Sequence, residues 1–262
     1  MFGFPKISKP IGYGFKRNFI KSATFQIKFE KNNQILDFKD KLDDLFKDIM
    51  PLSKEINETK VDFKFEDKTP IILKSSNTQR GFEYKDKNGF QIINITVDAL
   101  TYIVTGEYYS NFHNIYNDIR GKIISFIDIS NIEELKRISI RKVNIMEFQS
   151  EDSTVACDFL PLIFNKEIVK SSLNFPNCSN INSSISNLRL LKNQYQLNLG
   201  YGMLPYNLSS RKQQALIDID LLYSNSNIPI EELEKHFIII NDEIFNIFNW
   251  VLSDEIIESI KQ

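Results

Sequence analysis

The run PIEELEKHFIIINDEIFNIFNWVL, from Pro229 to Leu252, has the strongest periodicity in the chain. Leu233, Phe237, Ile240, Ile244, Ile247 and Val251 follow one another at spacings of four, three, four, three and four. These average about 3.6 residues, one helical turn, so the six side chains share a stripe. Pro229 loses no needed N–H at a first turn, and Glu231 and Glu232 sit where the helix dipole favours anions. A helix of this length reaches about 36 Å, enough to cross a domain. Ile238, Ile239, Phe245, Phe248 and Trp250 widen the apolar surface beyond one stripe. The helix is therefore expected to meet further neighbours, first the other half of the chain and next a second copy.

Upstream of this helix, Ala215–Leu222, Tyr195–Leu199 and Leu188–Leu191 read as strands, and residues 171–187, rich in Asn and Ser, as a loop. Residues 155–170 look helical but are divided at Pro161. Arg137–Phe148 reads as a strand whose apolar phase switches at Arg141–Lys142, from Ile138 and Ile140 to Val143 and Ile145. Such a switch predicts a bulge or a strand buried on both faces. A second long helix spans Tyr109–Phe126, with Phe112, Ile115, Tyr116, Ile119, Ile123 and Phe126 on one side; Gly121 within it suggests a close packing contact. Before it, short alternating runs at Val61–Phe65, Ile71–Leu73, Phe82–Tyr84 and Phe90–Ile95 form a meander. Its turns fall at Glu66–Pro70, Ser75–Gln79 and Lys85–Gly89. Asp37–Met50 is a shorter helix with Asp37 as its cap, and Phe19–Phe29 opens with a strand.

Both halves thus run strand, shorter helix, antiparallel strands, long helix. The expected fold is α+β with two similar lobes, residues 1–130 and 131–262, each a sheet covered by one long helix.

The chain has 32 basic and 34 acidic residues in 262, so no large positive field advertises nucleic acid. Cys157 and Cys178 form no metal-type pair and read as free thiols of a reducing compartment. Charges run through the N-terminal segment, and Asp242 and Glu243 interrupt the last long helix well short of a membrane span. The expectation is a cytoplasmic protein with no membrane segment.

RISIRKVNIMEF (Arg137–Phe148), the LIDID run ending at Asp220 and the closing helix with His236, Phe245, Leu252 and Asp254 occur in that order. With the leading strand and the Tyr109–Ile119 helix, they resemble a sporadically distributed prokaryotic family of about this length, known by a serial number and without established activity. Its strand motif reads Arg, apolar, Gly, Leu, Arg, Tyr, apolar, Asn. Arg137, Arg141 and Asn144 match, while Ser139 replaces the glycine and Lys142 the tyrosine. The resemblance implies a two-lobed α+β protein of patchy distribution, which fits mobile or antiviral defence genes, and it supplies no catalytic residue.

The residues themselves assemble no catalytic set. His113 and His236 lie on amphipathic helices without partners at metal spacing. Asp218 and Asp220 alternate on one strand, so their carboxylates share a face about 7 Å apart. They could hold a cation, but pairing with Arg137 or Arg141 explains them better. Gly12-Tyr13-Gly14 and Gly200-Tyr201-Gly202 lack phosphate-loop spacing and read as turn or bulge glycines. Lys16 and Arg17, among Lys6, Lys9 and Lys21 and interleaved with aromatics, could contact a nucleic-acid backbone. The leading expectation is a non-enzymatic interaction protein without metal or cofactor, acting on a protein partner or on itself, within a defence or toxin-neutralising system. The alternatives are RNA or DNA binding through the N-terminal segment, and a small-ligand pocket between sheet and long helix. The candidate binding residues are Arg137, Arg141, Asn144, Asp218, Asp220, Lys16 and Arg17.

Overall fold

The computed structural model describes residues 1–6, 19–66, 69–149, 156–174, 183–205 and 212–261. The first series of elements is β1 (Ile20–Phe29), α1 (Lys39–Phe46), β2 (Leu52–Glu66), β3 (Thr69–Lys85), β4 (Gln91–Thr96), β5 (Ala99–Thr105) and α2 (Phe112–Ile129). The second is β6 (Glu134–Gln149), α3 (Ala156–Ile163), α4 (Lys166–Leu173), β7 (Ser184–Lys192), β8 (Tyr195–Met203), β9 (Lys212–Pro229), α5 (Leu233–Val251) and α6 (Asp254–Lys261).

The expectation of two lobes fails at one place. β1 and β6 pair antiparallel from Ile20↔Asn144 to Phe29↔Leu135, which fuses both series into a nine-stranded sheet ordered β2-β3-β4-β5-β1-β6-β9-β8-β7. The alternation in each strand specifies which face is buried, not which strand lies beside it. Left apart, two sheets would each have kept a free edge at β1 or β6.

Every described helix that touches the sheet lies on one face. Phe46 of α1 packs on Tyr84, and Phe112 of α2 and Phe237 of α5 pack on Phe25 at the centre. Tyr201 donates its hydroxyl to the Ile168 carbonyl of α4. Apolar rows cross the strands on this side, for example Val104, Ala23, Lys142, Ile219, Leu199 and Leu188. Lys142 is the polar exception; its Nζ donates to Asn241 Oδ1 at 2.7 Å and sits 5.2 Å from the Tyr109 ring centre. That placement explains the phase switch in β6. No register break occurs at Arg141–Lys142; even-numbered residues keep facing the helices, while Val143 and Ile145 fall on the opposite side.

The apolar stripes of α2 and α5 are buried as their spacing predicts. Beyond β6 and β9, α5 meets two further neighbours, one through its stripe and one through Trp250 of the wider surface. Phe237 reaches Phe25 and Tyr116 of the first series. The N-terminal residues cross the outer side, where the Phe2 N–H donates to the buried Glu243 at 2.7 Å and Phe4 lies 5.0 Å from Trp250. Other local expectations need correcting. Gly121 has nothing within 4 Å of an added Cβ, so no close contact explains it. Asp37 lies inside a 3-10 turn, Asn33–Phe38, that Asn32 caps by accepting from the Gln34 N–H, and α1 then begins after Phe38 without a side-chain cap. Ser75–Gln79 is not a turn but part of β3, since a strand outside the core has no need of apolar alternation.

Candidate functional site

On the face away from the helices, strand register lines up polar residues in transverse rows. One row runs Arg189, Asn198, Asp220, Arg141 and Thr24 across β7, β8, β9, β6 and β1. The next holds Asn187, Gly200 and Asp218. Strict alternation in β9 buries Ala215, Ile217, Ile219 and Leu221 against the helices and turns Asp218 and Asp220 outward. Where the rows meet β7, a groove of about 280 Å³ opens, lined among others by Arg141, Asn187, Arg189, Asn198, Asp218 and Asp220.

Gly200 makes the floor. A Cβ there would lie 3.2 Å from Asn187 Oδ1 and 3.7 Å from Asp218 Cβ, so any larger side chain would fill the groove. Arg141 grips Asp218 with two parallel bonds, Nε to Oδ1 at 2.9 Å and Nη2 to Oδ2 at 2.6 Å, the fork geometry of strong guanidinium–carboxylate pairs. The hydrogen bond to Asp218 raises the Arg141 pKa, and the charge of Asp220 adds to the effect. A second chain of bonds crosses the groove. Arg189 donates to Gln196 Oε1 at 2.8 Å, Gln196 to Asn198 Oδ1 at 2.9 Å, and Asn198 to Asp220 Oδ2 at 3.0 Å. Two guanidinium groups, two carboxylates and amides therefore alternate on one wet surface with no net charge.

The expected pairing of Arg141 with one of the two aspartates is present, but on the open face rather than inside the protein. Arg137 shares that face without a carboxylate partner among the described residues; it donates to Gln26 Oε1, and Gln26 donates to Thr101 Oγ1 at 2.8 Å. Asn144 faces the helices, where it is buried and donates to the Ile217 carbonyl at 3.2 Å, so it supports β9 instead of lining the groove. Lys16 and Arg17 lie outside the described residues, as do Lys9 and Gly12–Gly14. Gly200-Tyr201-Gly202 is neither turn nor bulge but part of the last half of the unbroken strand β8. Gly202 has φ +147, and a Cβ there would fall 1.8 Å from the Ser184 carbonyl oxygen.

Nothing in the sequence singles out Asn187, Arg189 or Asn198, and Gly200 reads there only as a turn or bulge glycine. The Asn- and Ser-rich composition predicts a loop at Asn187, yet a hairpin turn at Asn193, whose φ is 54, sets the register that joins these four. His236 is a buried group at the helix–sheet seam. Its ring stacks 3.9 Å from Tyr223, its Nδ1 lies 3.3 Å from the Tyr195 hydroxyl and its Nε2 lies 3.3 Å from Glu232. Burial lowers its pKa, against the upward pull of Glu232. His113 is exposed. Among the described residues no three His, Cys, Asp or Glu side chains are grouped to hold a metal, and no helix is long and apolar enough to cross a membrane. No family model matches the chain and no curated protein matches it.

Proposed function

We propose that this chain is a non-enzymatic binding protein whose uncovered sheet face recognises another protein, with the groove at Arg141, Asp218, Asp220 and Arg189 as its polar anchor. The observation that carries this reading is the bonding within the groove. Each charged group is already held by a neighbour, Arg141 by Asp218, Asp220 by Asn198 and Arg189 by Gln196. Groups fixed in this way present a rigid pattern of donors and acceptors, which suits recognition better than proton transfer. The aromatic residues Phe25, Tyr84, Tyr102, Tyr201 and Tyr223 all occupy the helix side of their strands. The described open face thus offers no stacking platform for bases, which favours a protein partner over a nucleic acid. The patchy distribution that the family resemblance implies would fit such a partner within a defence or toxin-neutralising system.

The test fills the groove without touching the core. Capture of partners on immobilised protein, quantified by mass spectrometry, should lose one species with Gly200→Leu and again with Asp220→Ala, while the unfolding midpoint holds. Capture indifferent to both substitutions sinks the reading. So does a metal- or nucleotide-dependent hydrolysis that Asp218→Ala abolishes in folded protein.

A further inference from the structure

β7 is the outermost strand on its side of the sheet. It pairs with β8 in unbroken register from Ser184↔Met203 to Lys192↔Tyr195, and no described strand lies on its other side. Strand edges left this way are templates for another chain. The side chains agree with that use. Ile185, Leu188 and Leu191 are 47%, 37% and 68% exposed, three of the seven large apolar side chains exposed among the described residues. Leu188 also ends the apolar row that runs through Ile219 and Leu199, so the row stops at solvent.

We infer that β7 pairs antiparallel with β7 of a second copy about a two-fold axis at Leu188, joining the two sheets into one and completing the groove across the axis. Pairing about an axis normal to the sheet keeps both sets of helices on one side and sets residues of like face opposite each other. Only registers centred on Asn187, Leu188 or Arg189 then use most of the strand. Centring on Arg189 opposes two guanidinium groups, and centring on Asn187 sets Ile185 against Arg189. Centring on Leu188 sets Ile185 against Leu191 and Asn187 against Arg189 on the open face, and Leu188 against itself on the helix face. The Asn187 amide, without a side-chain hydrogen bond among the described residues, would receive Arg189 of the second copy. Both residues line the groove, so the two grooves would become one trough shared by two chains. The pairing does not depend on what the groove binds.

Sedimentation equilibrium tests it. The wild-type chain should show twice its 30.6 kDa mass, and Leu188→Lys or Leu191→Lys should halve that mass with an unchanged circular dichroism spectrum. A second measurement uses Leu188→Cys in a chain carrying Cys157→Ser and Cys178→Ser. Directly opposed residues of an antiparallel pair have Cα atoms about 4.5–5.5 Å apart, within disulfide reach. Mild oxidation should link two copies through Leu188→Cys and leave Leu162→Cys unlinked, although Leu162 is the more exposed of the two. A monomeric wild type, a dimer that survives both lysine substitutions, or equal linking at the Leu162 position would each overturn the proposal.

Discussion

The two edges of the sheet are built in opposite ways. β2 breaks register with β3 twice, between Ile56 and Asn57 and between Asp62 and Phe63. Lys54 pairs with Glu83 at 3.0 Å, Glu58 with Arg80 at 3.5 Å, and Leu52 is the one large apolar side chain exposed on its described part. Bulges and charges are the usual means of refusing another strand. β7 has no register break, and its charges are confined to Arg189 and Lys192 beside three exposed aliphatic residues. A sheet meant to stay alone would have guarded both sides. The contrast is what the proposed pairing at β7, beside the groove, rests on.

The largest expected effect comes from Gly202, which lets β7 lie flush on β8. Gly202→Ala would drive a Cβ into the Ser184 carbonyl at a φ that side chains rarely adopt. It should cost about 3 kcal/mol or more in urea denaturation and abolish the dimer. Gly81→Ala, equally close to the Ile95 carbonyl near the other edge, should destabilise the fold to a similar degree, yet the surviving folded chains should still pair through β7.

Acid comes next. His236 anchors α5 to β8 and β9 on the β7 side of the molecule. Its folded pKa lies below the ordinary value, so the unfolded chain binds the proton more readily. Stability should therefore fall as pH drops from about 6.5 toward the folded value, by at most about 1.4 kcal/mol per pH unit. Denaturation midpoints across that window should flatten in His236→Gln. A wild type with no slope there would show that α5 is not held by the neutral ring.

Smaller effects belong to the groove itself. Arg141 is half exposed and its partner less so, so Asp218→Asn should change folding stability by less than about 1 kcal/mol while weakening partner capture. Gly200→Ala should be the mildest, within about 0.5 kcal/mol of wild type, because the nearest atom to its new Cβ is the movable Asn187 amide. A loss at Gly200 as large as that at Gly202 would mean that the groove floor is structural.

The sequence disclosed what depends on a single element. The stripes on α2 and α5, the alternation of β9 and the shared face of Asp218 and Asp220 all follow from one period. Pairings between elements were hidden. Phe25 and Ile27 reveal a buried face in β1, but nothing in them selects β6 over another neighbour. Arg141 and Asp218 could be matched by charge alone, whereas Asn187 and Arg189 enter the groove only through the β7–β8 register. Polar composition also misleads twice, at Ser75–Gln79 of β3 and at Ser184–Asn187 of β7, because a stretch of strand paired on one side only can be as polar as a loop.

The antiparallel seam between β1 and β6 has a consequence in time. β1 gains its first neighbour from β5, only some way downstream, but its second partner spans Leu135–Asn144. A ribosome making this chain exposes the free flank of β1 until more than a hundred further residues have emerged. Contacts of such long sequence separation are slow to form. The centre of the sheet, where Ala23, Phe25 and Ile27 are buried once folded, is thus left open to wrong partners during synthesis.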